Sequence, residues 1–326
     1  MHIYSAEVVG NSFNFNVKSN VVGYQIELLN VVIFMPELLP EGMLKNGYQI
    51  IEELGRGTFA ISYKAQSLTG ERVFFKQYKS PTPVIDWFAE YVNHQKAIKK
   101  CIQDNSETRS HCYKIVEFFE DNYFYQVFEF INEGKTLAYC FKHFVDFSWA
   151  DRLTFAKDLM LGVKALHEHK IVHCDIKPDN LILIPDTTVE SGYVLRIIDL
   201  DWSFFSDQQA PWHGLQGYVG TSFYMSPEHI DDKTPSHASD IFSCGIVLGQ
   251  LLAGEHPFHK NLDDSYDHAA FMGHFSPIKI KQSVNEIESP QTLENILNAC
   301  LNPDPEQRPT AKQICDVLIC HNELKL

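Results

Sequence analysis

The chain has 326 residues, 44% of them hydrophobic and 21% charged, and its 42 acids against 27 bases leave a formal net charge of −15. That apolar fraction belongs to a globular protein rather than a disordered one, and the length suits one large domain or two lobes with a sizeable core. The acidity excludes nucleic-acid partners, whose phosphates need Lys and Arg, and docking on an anionic membrane.

The 8 cysteines form no CxxC pair, and most sit in apolar runs such as SDIFSCGIVLGQLL around Cys244. This usage implies reduced thiols, no disulfide framework and a cytoplasmic location. The N-terminus lacks the basic region of a signal peptide. The longest apolar stretch, Leu28 to Leu39, is broken by Asn30, Pro36 and Glu37. It is shorter than the roughly 20 residues a membrane span needs.

In chain order, the first twenty residues alternate apolar and polar positions like short strands. The stretch ELLPEGMLKNG then reads as a linker, because Pro, Gly and Asn-Gly punctuate it. Residues 1–47 are therefore set apart as an extension of unknown role. From Tyr48 comes a meander: YQIIEEL, the turn GRGTFA, ISYKAQS, a turn at Thr69-Gly70, and ERVFFKQY. Helical character over 83–103 precedes a polar loop, QDNSETRSH. Two further strands, CYKIVEFFED and NYFYQVFEFI, meet at Asp121-Asn122. Beyond Gly134 the period lengthens, and Trp149, Leu153, Ala156, Met160, Val163 and Leu166 fall on one helical stripe. The rest reads as mostly helical, with a loop-rich interval over 173–227.

Four constellations carry chemistry. Leu54-Gly-Arg-Gly-Thr-Phe-Ala60 lies between two strands, where glycines let the backbone turn and offer its N–H groups to phosphate oxygens. A dinucleotide site would need a helix after that turn, and a strand follows instead. Lys76 sits within an apolar strand, where an ammonium is costly unless paired. His173-Cys-Asp-Ile-Lys-Pro-Asp-Asn180 can converge Asp175, Lys177 and Asn180 on one pocket. There an Asp can accept a hydroxyl proton, a Lys can neutralise phosphate and an Asn can ligate Mg²⁺. Finally, the apolar run ending in Asp199-Leu-Asp201 offers carboxylate oxygens to a hard cation.

In this order, the motifs from Tyr48 onward resemble the eukaryotic-type protein kinase catalytic domain. The resemblance implies an α+β, two-lobed fold. A small antiparallel-sheet lobe with one helix would cover about 48–130, and a larger, mainly helical lobe about 131–326. It implies MgATP held by Leu54, Gly55 and Gly57 of the glycine-rich loop, by Lys76, and by the hinge backbone from Glu129 to Ile131 behind a gatekeeper Phe128. Asp175 and Lys177 match the catalytic pair, and Asn180 and Asp199 match the Mg²⁺ ligands. Ser226-Pro-Glu228 looks like the family's APE motif, Asp240 like the aspartate that braces the catalytic loop, and Arg308 like the partner of Glu228. Lys177 and Thr221 stand where serine/threonine kinases carry these residues. The resemblance therefore implies transfer of the γ-phosphoryl group of ATP to Ser/Thr hydroxyls of proteins. The net charge favours basic or neutral acceptors, and input through a regulatory partner protein is expected.

Several positions depart from the family pattern. HCD replaces HRD, so Cys174 stands where an arginine receives an activation-loop phosphate. DLD replaces DFG, which stiffens the loop or adds an oxygen near the metal. The family's helix glutamate falls on His94 or Gln95. Glu90, on the same helical face one turn before His94, is assigned as the partner of Lys76, and the Gln95 amide stays open. Phe74 and Ser62 alter the roof of the nucleotide pocket. These departures keep two alternatives: a small-molecule phosphotransferase of the aminoglycoside or choline type, and an ATP-binding pseudokinase scaffold.

Overall fold

A computed structural model describes the backbone of residues 3–9, 12–17, 33–34, 37–57, 59–81, 83, 85–143, 145–214, 220–258, 265–280 and 290–320, with side chains over 37–280 and 291–320 of that set. The elements are β1 (Ile3–Val9), β2 (Ser12–Val17), β3 (Ile33–Phe34), β4 (Leu44–Lys45), β5 (Tyr48–Arg56), β6 (Ala60–Ser67), β7 (Arg72–Tyr78), α1 (Phe88–Asp104), α2 (Ser106–His111), β8 (Ile115–Asp121), β9 (Tyr123–Glu129), β10 (Lys135–Thr136), α3 (Leu137–Lys142), α4 (Trp149–Glu168), β11 (Ile171–Val172), β12 (Leu181–Pro185), β13 (Tyr193–Ile197), β14 (Phe204–Phe205), α5 (Pro227–Ile230), α6 (His237–Leu248), α7 (Tyr266–Met272), α8 (Pro290–Cys300) and α9 (Ala311–Cys320). They fall into two compact units, one of residues 1–89 with 115–130 and one of 90–114 with 131–326.

In the first unit, the period-two pattern becomes a six-stranded antiparallel sheet in the order β4-β5-β6-β7-β9-β8. Its turns sit where the chain can take a positive φ, at Gly70 (φ 89°) and Asn122 (φ 57°). Alternate residues face one core: Ile50, Ile61, Tyr63, Val73, Phe75 and Val127 are all buried in it. Each such side chain contributes roughly 1.5–3 kcal/mol of burial energy. On the other face of β7, Phe74 meets Phe128 edge-on at 5.9 Å. The expected linker joins this sheet instead. Leu39 packs into the core, β4 pairs with β5, and the buried Gln77 amide donates to the Glu37 carbonyl (3.2 Å). β1, β2 and β3 form a separate antiparallel sheet. Much of the apolar stretch from Leu28 lies outside the described residues.

In the second unit, a capping box of Ser148 and Asp151 starts α4. The expected stripe of α4 is buried along its length, joined by Phe155, Leu159 and Ala165. α6 is buried almost entirely and ends at Gly254 in the left-handed region (φ 79°), after a π-helical turn over Gly249–Ala253. At Gly245 a Cβ would come within 2.6 Å of the Cys300 Cβ, so that glycine sets how closely α6 and α8 pack. The polar stretch expected as a loop, QDNSETRSH, is partly helical and forms α2. The Thr108 hydroxyl satisfies carbonyls of the preceding turn (2.9 and 3.1 Å). The interval 173–227 carries the β12–β13 hairpin. Among the described residues no helix is long and apolar enough to cross a membrane.

One ion pair fastens the far side of this unit. The buried Arg308 guanidinium grips Glu228 with two bonds (2.7 and 2.8 Å) and also donates to the Ala238, Asn302 and Pro303 carbonyls. Burial alone would raise the Glu228 carboxyl. The bonds and charge of Arg308, with the Ser239 hydroxyl, outweigh it and hold the pKa at about 2. Arg308→Met leaves that carboxylate buried without its cation and should cost about 3–5 kcal/mol in urea unfolding. Because the folded pKa lies below the unfolded value of roughly 4.3, the pair stabilises fully above that pH. Its contribution is lost as pH falls toward 2, and the variant should flatten this part of the acid limb.

Candidate active site

The site in the second unit is built around one buried carboxylate. Asp240 enters from the first turn of α6. Its Oδ2 accepts from the His173 N–H (2.8 Å) and its Oδ1 from the Cys174 N–H (2.9 Å). His167, in the last turn of α4, adds a bond from Nε2 (3.0 Å). Burial by itself would raise the Asp240 carboxyl, but His167 and these N–H donors hold its pKa below the ordinary value. The bonds matter because Cys174 has φ 70°, a conformation costing an L-residue roughly 1–2 kcal/mol. Burial and the charges of Asp240 and Asp175 push the Cys174 thiol well up, so it is an inert, protonated side chain.

The loop beyond this turn aims its polar groups at one point. The Asp175 Oδ2 accepts from Lys177 Nζ (2.6 Å) and Asn180 Nδ2 (3.0 Å). Its Oδ1 accepts from the Thr221 hydroxyl (2.7 Å), which in turn accepts from Lys177 Nζ (2.5 Å). Asn180 also donates to the Asp175 carbonyl (2.8 Å), which fixes the face of its amide. His173 Nδ1 accepts the Asp175 N–H (3.2 Å), so its Nε2 carries the proton and donates to the Ile198 carbonyl (3.2 Å). That bond ties the loop to the end of β13, immediately before Asp199. Asp199 takes φ 64°, while Asp201 stays outside the left-handed region and fits an L-residue without strain.

The remaining expected residues are distributed as follows. Leu54, Gly55 and Gly57 lie on the β5–β6 hairpin, where the Gly57 N–H donates to the Ala60 carbonyl (2.9 Å). Lys76 lies opposite Ser62 on β6 and Gln126 on β9, and its ammonium is 5.2 Å from the Tyr78 ring centre. Glu129 ends β9 and is exposed, and Ile131 packs beside Gly134. Glu90 is exposed in the first turn of α1, whereas Gln95 is 1% exposed.

His94 and Gln95, expected as candidate positions facing Lys76, instead join Tyr91 in fastening α1 to the turn after Asp199, a role that motif reading missed. The Gln95 amide donates to the Asp201 carbonyl (2.8 Å), His94 Nε2 to the Ser203 carbonyl (3.0 Å), and the Tyr91 hydroxyl to the Asp201 carbonyl (3.4 Å). Burial lowers the His94 pKa, so it donates as a neutral ring. Trp212 packs edge-on against Tyr91, His94 and Trp202 at 5.3–5.8 Å. The signal was present: Tyr91, His94, Gln95 and Ile98 share one helical face, and two of the chain's 4 tryptophans lie just after Asp199. Gln95→Leu removes the shortest of these bonds. It should cost about 1–3 kcal/mol and speed amide hydrogen exchange over 200–205. Unchanged exchange there would show that the bond does not hold the turn.

Comparison with known proteins gives this geometry its context. A model of the protein kinase domain family matches residues 48–318. A rice protein described as CBL-interacting protein kinase 19 is 28% identical over 282 residues, covering 84% of this chain and 51% of the relative. Calcium/calmodulin-dependent protein kinase type II of Caenorhabditis elegans is 24% identical, with 85% and 37% covered. Calcium-dependent protein kinase 24 of Arabidopsis thaliana is 26% identical, with 86% and 46% covered. The chain thus spans about half or less of the length of these curated relatives. A crystal structure of a kinase domain superposes with a TM-score of 0.65 at 20% identity, covering 89% of this chain and 98% of that one, which shows a shared fold. With its sheet unit, its helical unit and a family match over most of its length, the chain belongs to the protein kinase domain family and has the two-lobed kinase fold.

Proposed function

We propose that the protein is a serine/threonine protein kinase that transfers the γ-phosphoryl group of MgATP to hydroxyls of protein substrates. The observation that carries this reading is the Asp175 carboxylate, held by Lys177, Asn180 and Thr221 in one hydrogen-bonded knot. An acceptor hydroxyl takes the place of the Thr221 bond at Asp175 Oδ1, which orients it and receives its proton. Lys177 stays bonded to Oδ2 and balances charge on the transferring group. Lys177 and Thr221 stand where the resemblance puts these residues in serine/threonine kinases, which favours a Ser/Thr acceptor. Lys76 anchors the nonreacting phosphates, Glu90 orients Lys76, and the backbone from Glu129 to Ile131 meets the adenine.

Asn180 and Asp199 are the proposed Mg²⁺ ligands, and the donor set fits. The Asn180 amide nitrogen is committed to Asp175, so its oxygen is the group left to face a ligand, and carboxylate plus amide oxygens suit a hard cation. A bound divalent ion supplies neutralisation of the phosphate oxygens as charge redistributes. The chain's own part is positioning and fixed electrostatics. In this reading residues 48–326 are the catalytic domain and 1–47 an extension. Free cysteines support a cytoplasmic site of action. The formal charge of −15 favours basic or neutral acceptors. A regulatory partner belongs to the proposal, since the relatives include proteins named for CBL and calmodulin.

The test compares wild type with Asp175→Asn and Asp199→Ala, using labelled MgATP and one basic and one acidic generic protein acceptor. Wild type should label Ser and Thr, preferring the basic acceptor, and each variant should lose at least roughly 100-fold. Equal labelling by all three would overturn the residue assignments. Nucleotide-induced stabilisation without transfer would make the protein a pseudokinase. Labelling of small alcohols or amines alone would make it a small-molecule phosphotransferase.

A further inference from the structure

A second lysine of the sheet unit serves the glycine-rich hairpin. Lys79 lies one residue past the end of β7 and is 8% exposed. Its ammonium donates to the Gly57 carbonyl at 2.6 Å, on the loop that joins β5 to β6. The Lys79 backbone N–H donates to the Phe59 carbonyl (2.7 Å), so the same residue holds the loop at two places. Strand alternation puts Lys79 on the face of Val73, Phe75 and Gln77, opposite the face of Lys76.

The electrostatics of this contact are unusual. A buried ammonium ordinarily has an acidic partner. Among the described residues no carboxylate pairs with Lys79. Burial, and then the like charge of Arg56, lower its pKa. Arg56 is itself engaged by Glu53 through two bonds (2.6 and 2.9 Å). The loop carbonyl offsets part of the cost of burying Lys79 and places a positive charge against the glycine-rich hairpin.

We propose that Lys79 is a positioning residue for the phosphate-binding loop, latching the Gly57 carbonyl so that the loop is held in its nucleotide-binding shape and biased toward polyphosphate ligands. The proposal rests on the kinase reading for its ligand and on the contact itself for the latch. It separates Lys79 from Lys76. Lys76 would touch phosphate, while Lys79 acts through the loop, so its effect should grow with the number of phosphates on the ligand.

The experiment uses the full chain with Lys79→Met, Lys79→Gln and Lys79→Arg. Affinities for adenosine, ADP and ATP are measured by calorimetry, KM and kcat for ATP by labelled transfer, and loop amides over 54–61 by hydrogen exchange. Lys79→Met should weaken ATP binding and raise its KM about tenfold, the loss of one charge-assisted bond. ADP should weaken less, adenosine within twofold of wild type, and kcat should hold. Loop exchange should quicken, and Lys79→Arg should recover most of the affinity. Lys79→Gln, which keeps a shorter, uncharged donor, should recover loop protection and ATP affinity together and in part, and it serves if the methionine variant does not fold. Equal weakening of adenosine and ATP, a fall in kcat with KM unchanged, or unaltered loop exchange would each overturn the proposal. Wild type that binds all three ligands but transfers no phosphate would instead overturn the kinase reading and leave the latch standing.

Discussion

The second unit depends on one buried carboxylate. Asp240 is 1% exposed, and the cost of placing an anion there is offset by three donors converging on its two oxygens. Those donors come from the end of α4 and from two successive peptide groups, so a single side chain joins two helices to the loop. It also holds Cys174 in a backbone conformation that L-residues avoid. Because Cys174 turns there, Asp175, Lys177 and Asn180 follow with their side chains directed at one another. The polar knot is thus a consequence of the anchor beneath it.

The departures from the family pattern acquire physical content in this light. At Cys174 the brace uses the backbone N–H, so the turn makes no demand on that side chain. Asp201, expected where the family carries a glycine, is not among the positive-φ residues, so the position does not need one. Its carbonyl accepts from Gln95 and Tyr91 instead. Neutral hydrogen bonds and aromatic packing thus help to hold the turn after Asp199.

Much of the site was legible in the sequence, for a chemical reason. A carboxylate, an ammonium and an amide close together in one loop stand out in a sequence, which is why Asp175, Lys177 and Asn180 could be picked out as a group and are found hydrogen-bonded to one another. Asp240 and the Glu228–Arg308 pair were readable only through the resemblance to the family, and the structure pairs Glu228 with Arg308. The meander and the α4 stripe were readable because period two and period 3.6 differ plainly. What was not readable depends on tertiary contact. QDNSETRSH is polar throughout, and its helix exists because the Thr108 hydroxyl and neighbouring packing support it. Leu39 looked like part of a linker because Pro and Gly flank it, yet a core lies beneath it. His94 and Gln95 share a helical face that the sequence shows, but their partners, like that of Lys79, are backbone carbonyls, which it does not show.

The central claim is that the Asp240 anchor, more than any group in the knot itself, sets the geometry of Asp175. The most direct measurement is labelled phosphoryl transfer by Asp240→Asn at matched folded fraction, with ADP affinity as the control. Asparagine keeps one acceptor oxygen but turns an N–H₂ toward donors that need acceptors. The account predicts at least a tenfold loss in kcat, of the order expected when one buried charge-assisted bond is broken, with ADP affinity unchanged. Wild-type turnover in that variant would contradict it.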